Sequence, residues 1–392
     1  MFGRNVKRMA VFMAALGLGL ALGVSAGSAQ AADNTIKIAV PSPYTGSAAG
    51  FGENVKAGVA MKIDEVNAAG GVNGKKIEAV YLDEQCEPRE AATVSSSIVN
   101  DPEIVGIVGH LCSSAHLAAL PTYVREGIAA ISPTATNISI SDKNKDEQGK
   151  VWSFRNVYRD DFQGKFLADY IDKVMGFKKV AVFYENNDYG IGLKDAFVKE
   201  AKKLGLNVVG DEAYKKGDQD FTPQLTKLKG GAPQAMFIAG YYPEGALIAD
   251  QAKKIGLNVP KFGADGFDNA DYIKLGGAAA DDTYLTAPFL ADTAGPDAKK
   301  FIKDFKARYK REVDWMSANA YDAAGMMVQA IAKVGPDRAK IRAYLAGMNT
   351  PEKGYQGVTG VNYFDANGDC QKPAFVKMVK GGKFVPAPKQ MN

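Results

Sequence analysis

The strongest constraint on this chain is a repeated switch between two hydrophobic periods. "IKIAV" (Ile36–Val40) is a short β-rich run. After it, Val55, Val59, Ile63 and Val66 are spaced four, four and three apart, which puts them on one helical face. That segment ends at "NAAGG", with glycine where a helix stop is expected. "KIEAVYLD" (Lys76–Asp83) reads as the next strand, Arg89–Val99 as a helix, and "IVGIVG" (Ile104–Gly109) as a nearly all-apolar strand, the pattern of a parallel sheet covered on both faces. A helix over Ala115–Glu126 and the strand "IAAIS" (Ile128–Ser132) close this series.

The same pattern restarts after the polar connector "SDKNKDEQGK". A helix carries Phe162, Phe166, Tyr170 and Val174. Then come the strand "KVAVFYE", a helix over Ile191–Leu204, the strand "NVVGDEAY", a helix over Thr222–Lys229, the strand "AMFIAG", a helix over Glu244–Ile255 and the strand "KFGAD". Strands alternating with helices imply right-handed crossovers and parallel sheets. Two such runs, divided near Val151–Tyr158, predict an α/β protein of two Rossmann-like lobes. Helices are expected over Asp297–Lys310, Ser317–Val334 and Ala339–Leu345, before short strands and turns that include "FDANGD".

The first 31 residues read differently. Arg4, Lys7 and Arg8 precede the apolar run "VFMAALGLGLALGVSAG", and Ala29 and Ala31 follow at A-x-A spacing. This is the pattern of a secretory signal peptide over residues 1–31, so a soluble periplasmic location is expected. The formal charge of the whole chain is +4, and the leader carries three basic and no acidic residues, so the remainder is near +1. A near-neutral chain without basic clusters has no electrostatic footprint for nucleic acid. Export also favours disulfides, and three cysteines allow one bridge with one left over.

The stretch that most resembles an active site is "GHLCSSAH". It contains both histidines of the chain, His110 and His116, with Cys112, Ser113 and Ser114 between them. A tetrahedral zinc site would need a further ligand or a water, and the sequence has no third histidine. "PSPYTGSAAGFGEN" does not fit G-x-G-x-x-G, and no P-loop is present, so no cofactor is indicated. "DANGD" (Asp365–Asp369) begins like a calcium loop, but Cys370 stands where glycine is required and Val376 where the closing glutamate is required, so a surface turn is expected. These features argue against an enzyme and against a metal site.

A binding reading fits better. Ligands of open parallel sheets sit beyond the carboxyl ends of the strands. "GHLCSS", "SPTATN", "YENNDYG", "GYYPEG" and "GADGFDNA" all fall at such ends. The first two supply hydroxyls and helix-start amides, which suit a carboxylate. The others supply tyrosines and Asp265, which suit an ammonium group. Taken singly, Ser113 and Ser114 could instead be helix caps, Thr134 and Thr136 loop residues, Tyr189 and Tyr241 packing residues, and Asp265 a turn former.

At "DEQCEP", "GHLCSSAH", "ISPTATN", "YGIGL" and "GYYPEG" the chain resembles the branched-chain amino-acid-binding proteins of bacterial ABC importers. The resemblance implies a type I periplasmic-binding fold. One lobe would comprise residues 32–155 and 288–362, the other 156–287 and 363–392, joined by a hinge. It implies a non-enzymatic, monomeric receptor that binds a free amino acid and docks transiently on a membrane permease. Ser113, Thr134 and Thr136 would hold the ligand carboxylate. Tyr189, Tyr241 and Asp265 would hold the amine, and Cys86 would pair with Cys112, leaving Cys370 free. Two departures bear on specificity. Phe51 stands where the family often has a cleft tyrosine or tryptophan, so it too is expected to contact the ligand, and Asp265 stands where the best-known members have glutamate. A different amino acid, such as an ω-amino acid, or a small amide therefore remains an alternative cargo, and a chemosensory or regulatory partner an alternative role.

Overall fold

The computed structural model describes residues 34–291 and 295–391; the expected signal peptide lies outside them. Five strands form a first, wholly parallel sheet in the order β2-β1-β3-β4-β5: β1 (Thr35–Ser42), β2 (Lys76–Asp83), β3 (Ile104–Val108), β4 (Ala130–Ser132) and β5 (Ser153–Arg155). Every residue of β3 is buried, as its apolar run requires. Gly106 is its point of closest approach: a Cβ there would lie 2.4 Å from Met327 Sδ, on the helix that covers this face.

A second sheet is built from β6 (Lys179–Glu185), β7 (Asn207–Tyr214), β8 (Ala235–Ala239), β9 (Lys261–Phe262) and β10 (Thr283–Ala287). After β10 the chain adds helices to the first sheet. It then forms the small hairpin β11 (Tyr355–Gly357) and β12 (Gly360–Asn362), and ends with β13 (Phe375–Lys380) and β14 (Lys383–Pro386). The last two strands pair antiparallel at the edge, so the second sheet runs β14-β13-β10-β9-β8-β6-β7. The two-lobed α/β architecture expected from the alternating periods is therefore present.

Two late helices, Trp315–Val334 and Arg338–Gly347, pack on the first sheet, and a third, Pro296–Tyr309, packs on the helices Ala49–Ala68 and Trp315–Val334. Tyr309 Oη donates to Ala57 O (2.9 Å), Ser317 Oγ to Asn54 O (2.9 Å) and Arg338 to the carbonyls of Val99, Ile104 and Asp101. Between the sheets, "DANGD" is a turn held by Asp365 Oδ1, which accepts from Asn367 N and Asp369 N. The turn is exposed at Asp365 and Ala366, as expected, but buried at its other end. Asp369 is buried, pairs with Arg155 Nε at 2.7 Å, and sits where Arg155 and Asp369 form an isolated parallel bridge. The sequence also conceals β5 and β10. β5 has only three residues, and in β10 Thr283 and Thr286 interrupt the apolar run while being fully buried. Phe162, which the period turns inward, is 41% exposed.

Candidate functional site

The carboxyl edges of the two sheets face each other across a small cavity. It is lined by Leu111, Ser113, Thr134, Thr136, Trp315 and Met316 from the first lobe and by Tyr189, Tyr241, Asp265 and Gly266 from the second. Its free space is about 240 Å³ including the mouth, but the side chains are drawn in so closely that its centre holds little more than one water-sized volume. Six of the residues singled out in the sequence thus meet at one place. Phe51 does not line this cavity. It is buried behind it, edge-on to Tyr241 (5.8 Å between ring centroids) and to Tyr242 (4.7 Å).

Local chain geometry positions the first-lobe wall. Cys112 has extended backbone (φ −82°, ψ 139°) and starts the helix Ser113–Glu126, two residues before the apolar period begins. No side chain caps that helix, so Ser113 and Ser114 are not spent as caps. Ser113 Oγ accepts from Asn137 N (3.3 Å), which leaves its own proton available to a ligand. Ser114 Oγ accepts from Asp188 N of the other lobe (3.0 Å). Thr134 Oγ1 donates to Leu111 O (2.8 Å), so its hydroxyl proton is already engaged and it presents acceptor lone pairs.

The second-lobe wall is aromatic. Tyr189 and Tyr241 stack with centroids 4.8 Å apart and planes inclined by 15°. Tyr189 Oη donates to Asp265 Oδ1 at 2.6 Å. Gln163 bridges behind it, accepting Asp265 N (3.0 Å) and donating to Asp265 Oδ1 (3.3 Å). Among the described residues, Asp265 Oδ2 has no hydrogen-bond partner. Burial, opposed by these hydrogen bonds, pushes the Asp265 carboxyl up to about 6. Asp160, buried nearby and with an Oδ2 that likewise has no partner among the described residues, is pushed well up by burial and by Asp265. The buried indole Nε1–H of Trp315, across on the first lobe, also has no acceptor among the described residues. The cavity therefore joins residues bearing one unmatched acceptor and one unmatched donor.

Asp160, Gln163, Trp315 and Met316 were not singled out in the sequence. Gln163 and Asp160 lie in an ordinary amphipathic helix. Trp315, one of only two tryptophans, follows the N-cap Asp314, a cue to a helix start but not to a site.

The histidines prove to be framework. Both are fully buried; His110 Nε2 pairs with Tyr123 Oη (2.7 Å), and His116 Nε2 with Ser153 Oγ (2.7 Å). His116 Nδ1 accepts from His110 N (3.1 Å), and burial holds its pKa well below the usual imidazole value, so the ring is neutral. Cys112 is joined to Cys86, with Cα atoms 5.4 Å apart, and Cys370 is buried and free. Among the described residues no group of histidine, cysteine and carboxylate side chains is arranged to hold a metal.

The lobes touch around the cavity. Asn137 Nδ2 donates to Asp188 O (2.5 Å), Tyr242 Oη to Ser47 O (3.0 Å), and Lys216 pairs with Glu87 (2.6 Å). Two α/β lobes, one sheet wholly parallel and the other parallel except at its antiparallel edge, closed over a small pocket of aromatic, aliphatic and hydroxyl side chains define a solute-binding receptor of the type I periplasmic-binding fold. The chain belongs to the periplasmic binding protein family, whose model matches residues 35–383. It is 32% identical over 368 residues to a leucine-, isoleucine-, valine-, threonine- and alanine-binding protein of Pseudomonas aeruginosa, covering 94% of each chain. It superposes on a leucine-binding protein of Thermotoga maritima with a TM-score of 0.84 at 31% identity, covering 91% of this chain and 99% of that one. On a branched-chain amino-acid-binding protein of Streptococcus pneumoniae in complex with isoleucine the TM-score is 0.82 at 31% identity, covering 89% and 97%. This is a family of solute-binding proteins, not of enzymes. No described helix is long and apolar enough to cross a membrane.

Proposed function

We propose that the protein is an exported, non-enzymatic receptor that captures a free amino acid, branched-chain or a related aliphatic one, and presents it to an ABC permease from the periplasm. The observation that carries this reading is the pairing of unmatched groups around one cavity. Among the described residues Asp265 Oδ2 has no donor and Trp315 Nε1 no acceptor, and a zwitterion supplies both. Ser113 Oγ–H and the free amides of the first turn of Ser113–Glu126 add donors for a carboxylate. Thr134, whose proton is engaged, fits better as an acceptor beside the amine. Tyr189 and Tyr241 supply an apolar and aromatic wall. The relatives named for leucine, isoleucine and valine support the aliphatic class.

In this reading the lobes are 32–155 with 288–362 and 156–287 with 363–392. The ligand touches both, so it stabilises the closed form over the open one. Because little space remains at the centre of the cavity, entry requires the lobes to part. Calorimetric titration of the purified protein with leucine, isoleucine, valine and a set of ω-amino acids tests the proposal. Binding of an aliphatic α-amino acid in the micromolar range or tighter is expected. Heat changes with ω-amino acids alone would move the assignment to the alternative cargo, and none with any amino acid would refute it.

A further inference from the structure

A second, larger cleft adjoins the inner cavity, with about 940 Å³ of free space including its opening, and Tyr241 lines both. The Cys86–Cys112 bridge and Ser114 form part of one wall, and Glu185 and Glu244 part of the other. Both carboxylates are buried, Glu185 at 2% and Glu244 at 4% exposure. Glu244 Oε1 accepts from Gly217 N (2.9 Å). Glu185 Oε1 accepts from Asn187 Nδ2 (2.8 Å), but its Oε2 is buried with no hydrogen-bond partner among the described residues. The nearby Lys216 does not fill that place, because its ammonium is held by Glu87 and by Gln85 O, each at 2.6 Å.

A buried carboxylate oxygen without a partner needs either a proton or a cation. We propose that this outer cleft is a second ligand subsite, in which Glu185 and Glu244 receive an ammonium or guanidinium at the far end of a ligand whose amino-acid head lies in the inner cavity. The cargo would then include amino acids with a positively charged side chain. The inference rests on the receptor reading above for the head group, and on the outer cleft alone for the cation.

The electrostatics agree. Burial first, and then Glu244, push the Glu185 carboxyl up to about 8, with Lys216 opposing. The other charged or titratable groups that face it or the cleft are Lys215, Asp188, Tyr214 and Tyr241. A cation favours the ionised form, so it binds with release of a proton and more tightly as pH rises through 8.

The test compares arginine with its neutral near-isostere citrulline, and adds agmatine, which carries the guanidinium but no carboxylate. Calorimetry at pH 8.5 should give arginine at least tenfold tighter than citrulline. Glu185→Gln should bring the two within about twofold while citrulline affinity holds, with melting curves confirming the fold; Glu244→Gln should narrow the gap. No preference for arginine in the native protein, or a preference that survives both substitutions, would overturn the proposal. If citrulline and leucine do not bind but agmatine does, and Glu185→Gln abolishes it, the receptor reading fails and the cation subsite stands. If no probe binds, both fall.

Discussion

Tyr189 Oη lies 2.6 Å from Asp265 Oδ1 and donates to it, leaving Oδ2 as the oxygen of a buried carboxyl that has no partner among the described residues. Burial raises this carboxyl to about 6, so its charge is costly until a cation arrives. Its ionisation opposes folding: the empty protein loses stability as pH rises from about 4 to about 6, because the unfolded chain gives up this proton first. An ammonium ligand favours the ionised form. Amino-acid affinity is therefore expected to fall about tenfold from pH 7.5 to pH 5, with proton uptake on release. A pH series of calorimetric titrations in buffers of different ionisation enthalpy checks this. A flat profile would detach Asp265 from the ligand.

Tyr189→Phe removes the donor but keeps the ring stacked on Tyr241. The hydrogen bond holds the Asp265 carboxyl down, so its loss should move the midpoint of the pH profile upward. Affinity near pH 6 should drop several-fold while affinity at pH 8 changes little. Asp265→Asn, in contrast, should cost at least tenfold at every pH above 7, about 1.4 kcal/mol or more, without lowering the melting temperature of the empty protein.

The bridge between Cys86 and Cys112 spans 26 residues and ties the end of β2 to the end of β3. Chain-entropy reasoning assigns such a loop about 3–4 kcal/mol. Thiol titration of the denatured, unreduced protein should find one reactive group, from Cys370. Cys86→Ser with Cys112→Ser should lower stability by about that amount in urea melts. Because the bridge also walls the outer cleft, affinity for neutral amino acids should suffer less than stability.

The sequence revealed most where period and chemistry coincide. The strands Lys76–Asp83, Lys179–Glu185 and Asn207–Tyr214 have the limits expected from their patterns. The loops after strands carry recognisable polar groups, so six of the residues that line the cavity are legible in the sequence. What stayed hidden depends on pairing between distant segments. Gln163 is a helix residue like many others until Asp265, 102 positions away, folds against it. β10 was invisible because Thr283 and Thr286 satisfy their hydroxyls with Tyr272 and Gln163, which lets polar residues occupy a buried strand. The resemblance puts Phe51 at the ligand, but its edge-on packing against Tyr241 makes it a support for the wall.

Gly58 tests a different link, from helix to helix. An exposed mid-helix glycine gains roughly 1 kcal/mol when replaced by alanine. At Gly58 the added Cβ would lie 2.1 Å from Ser317 O and 2.9 Å from Tyr321 N, both backbone atoms of the helix packed across it. Gly58→Ala should therefore destabilise the protein by at least about 1–3 kcal/mol, reversing the sign expected from propensity. Equal or higher stability in urea would show that the two helices can separate without cost.

The ion pair of Arg155 and Asp369 makes the sharpest energetic prediction, since both side chains are nearly excluded from water. Arg155 Nε lies 2.7 Å from Asp369 Oδ1, and Arg159 Nη1 reaches Oδ2 at 3.1 Å. The remaining Arg155 nitrogens donate to Ala135 O, Asn137 O and Ser141 Oγ. Removing one partner of such a pair leaves a buried charge uncompensated, so Asp369→Ala should cost about 3–5 kcal/mol. Replacing both, as Arg155→Met with Asp369→Leu, should cost less than the single change, because no charge is then stranded. The pair also supports the site. Asn137 accepts from Arg155 through its carbonyl and donates from its side chain to Asp188 of the other lobe. A loosened Arg155 frees the segment that carries Thr134 and Thr136, so Asp369→Ala should also weaken amino-acid binding although it lies outside the cavity. Unchanged affinity in a clearly destabilised Asp369→Ala protein would mean that the segment is held in place by its other partners, Leu111, Ser132, Asn319 and Asp160.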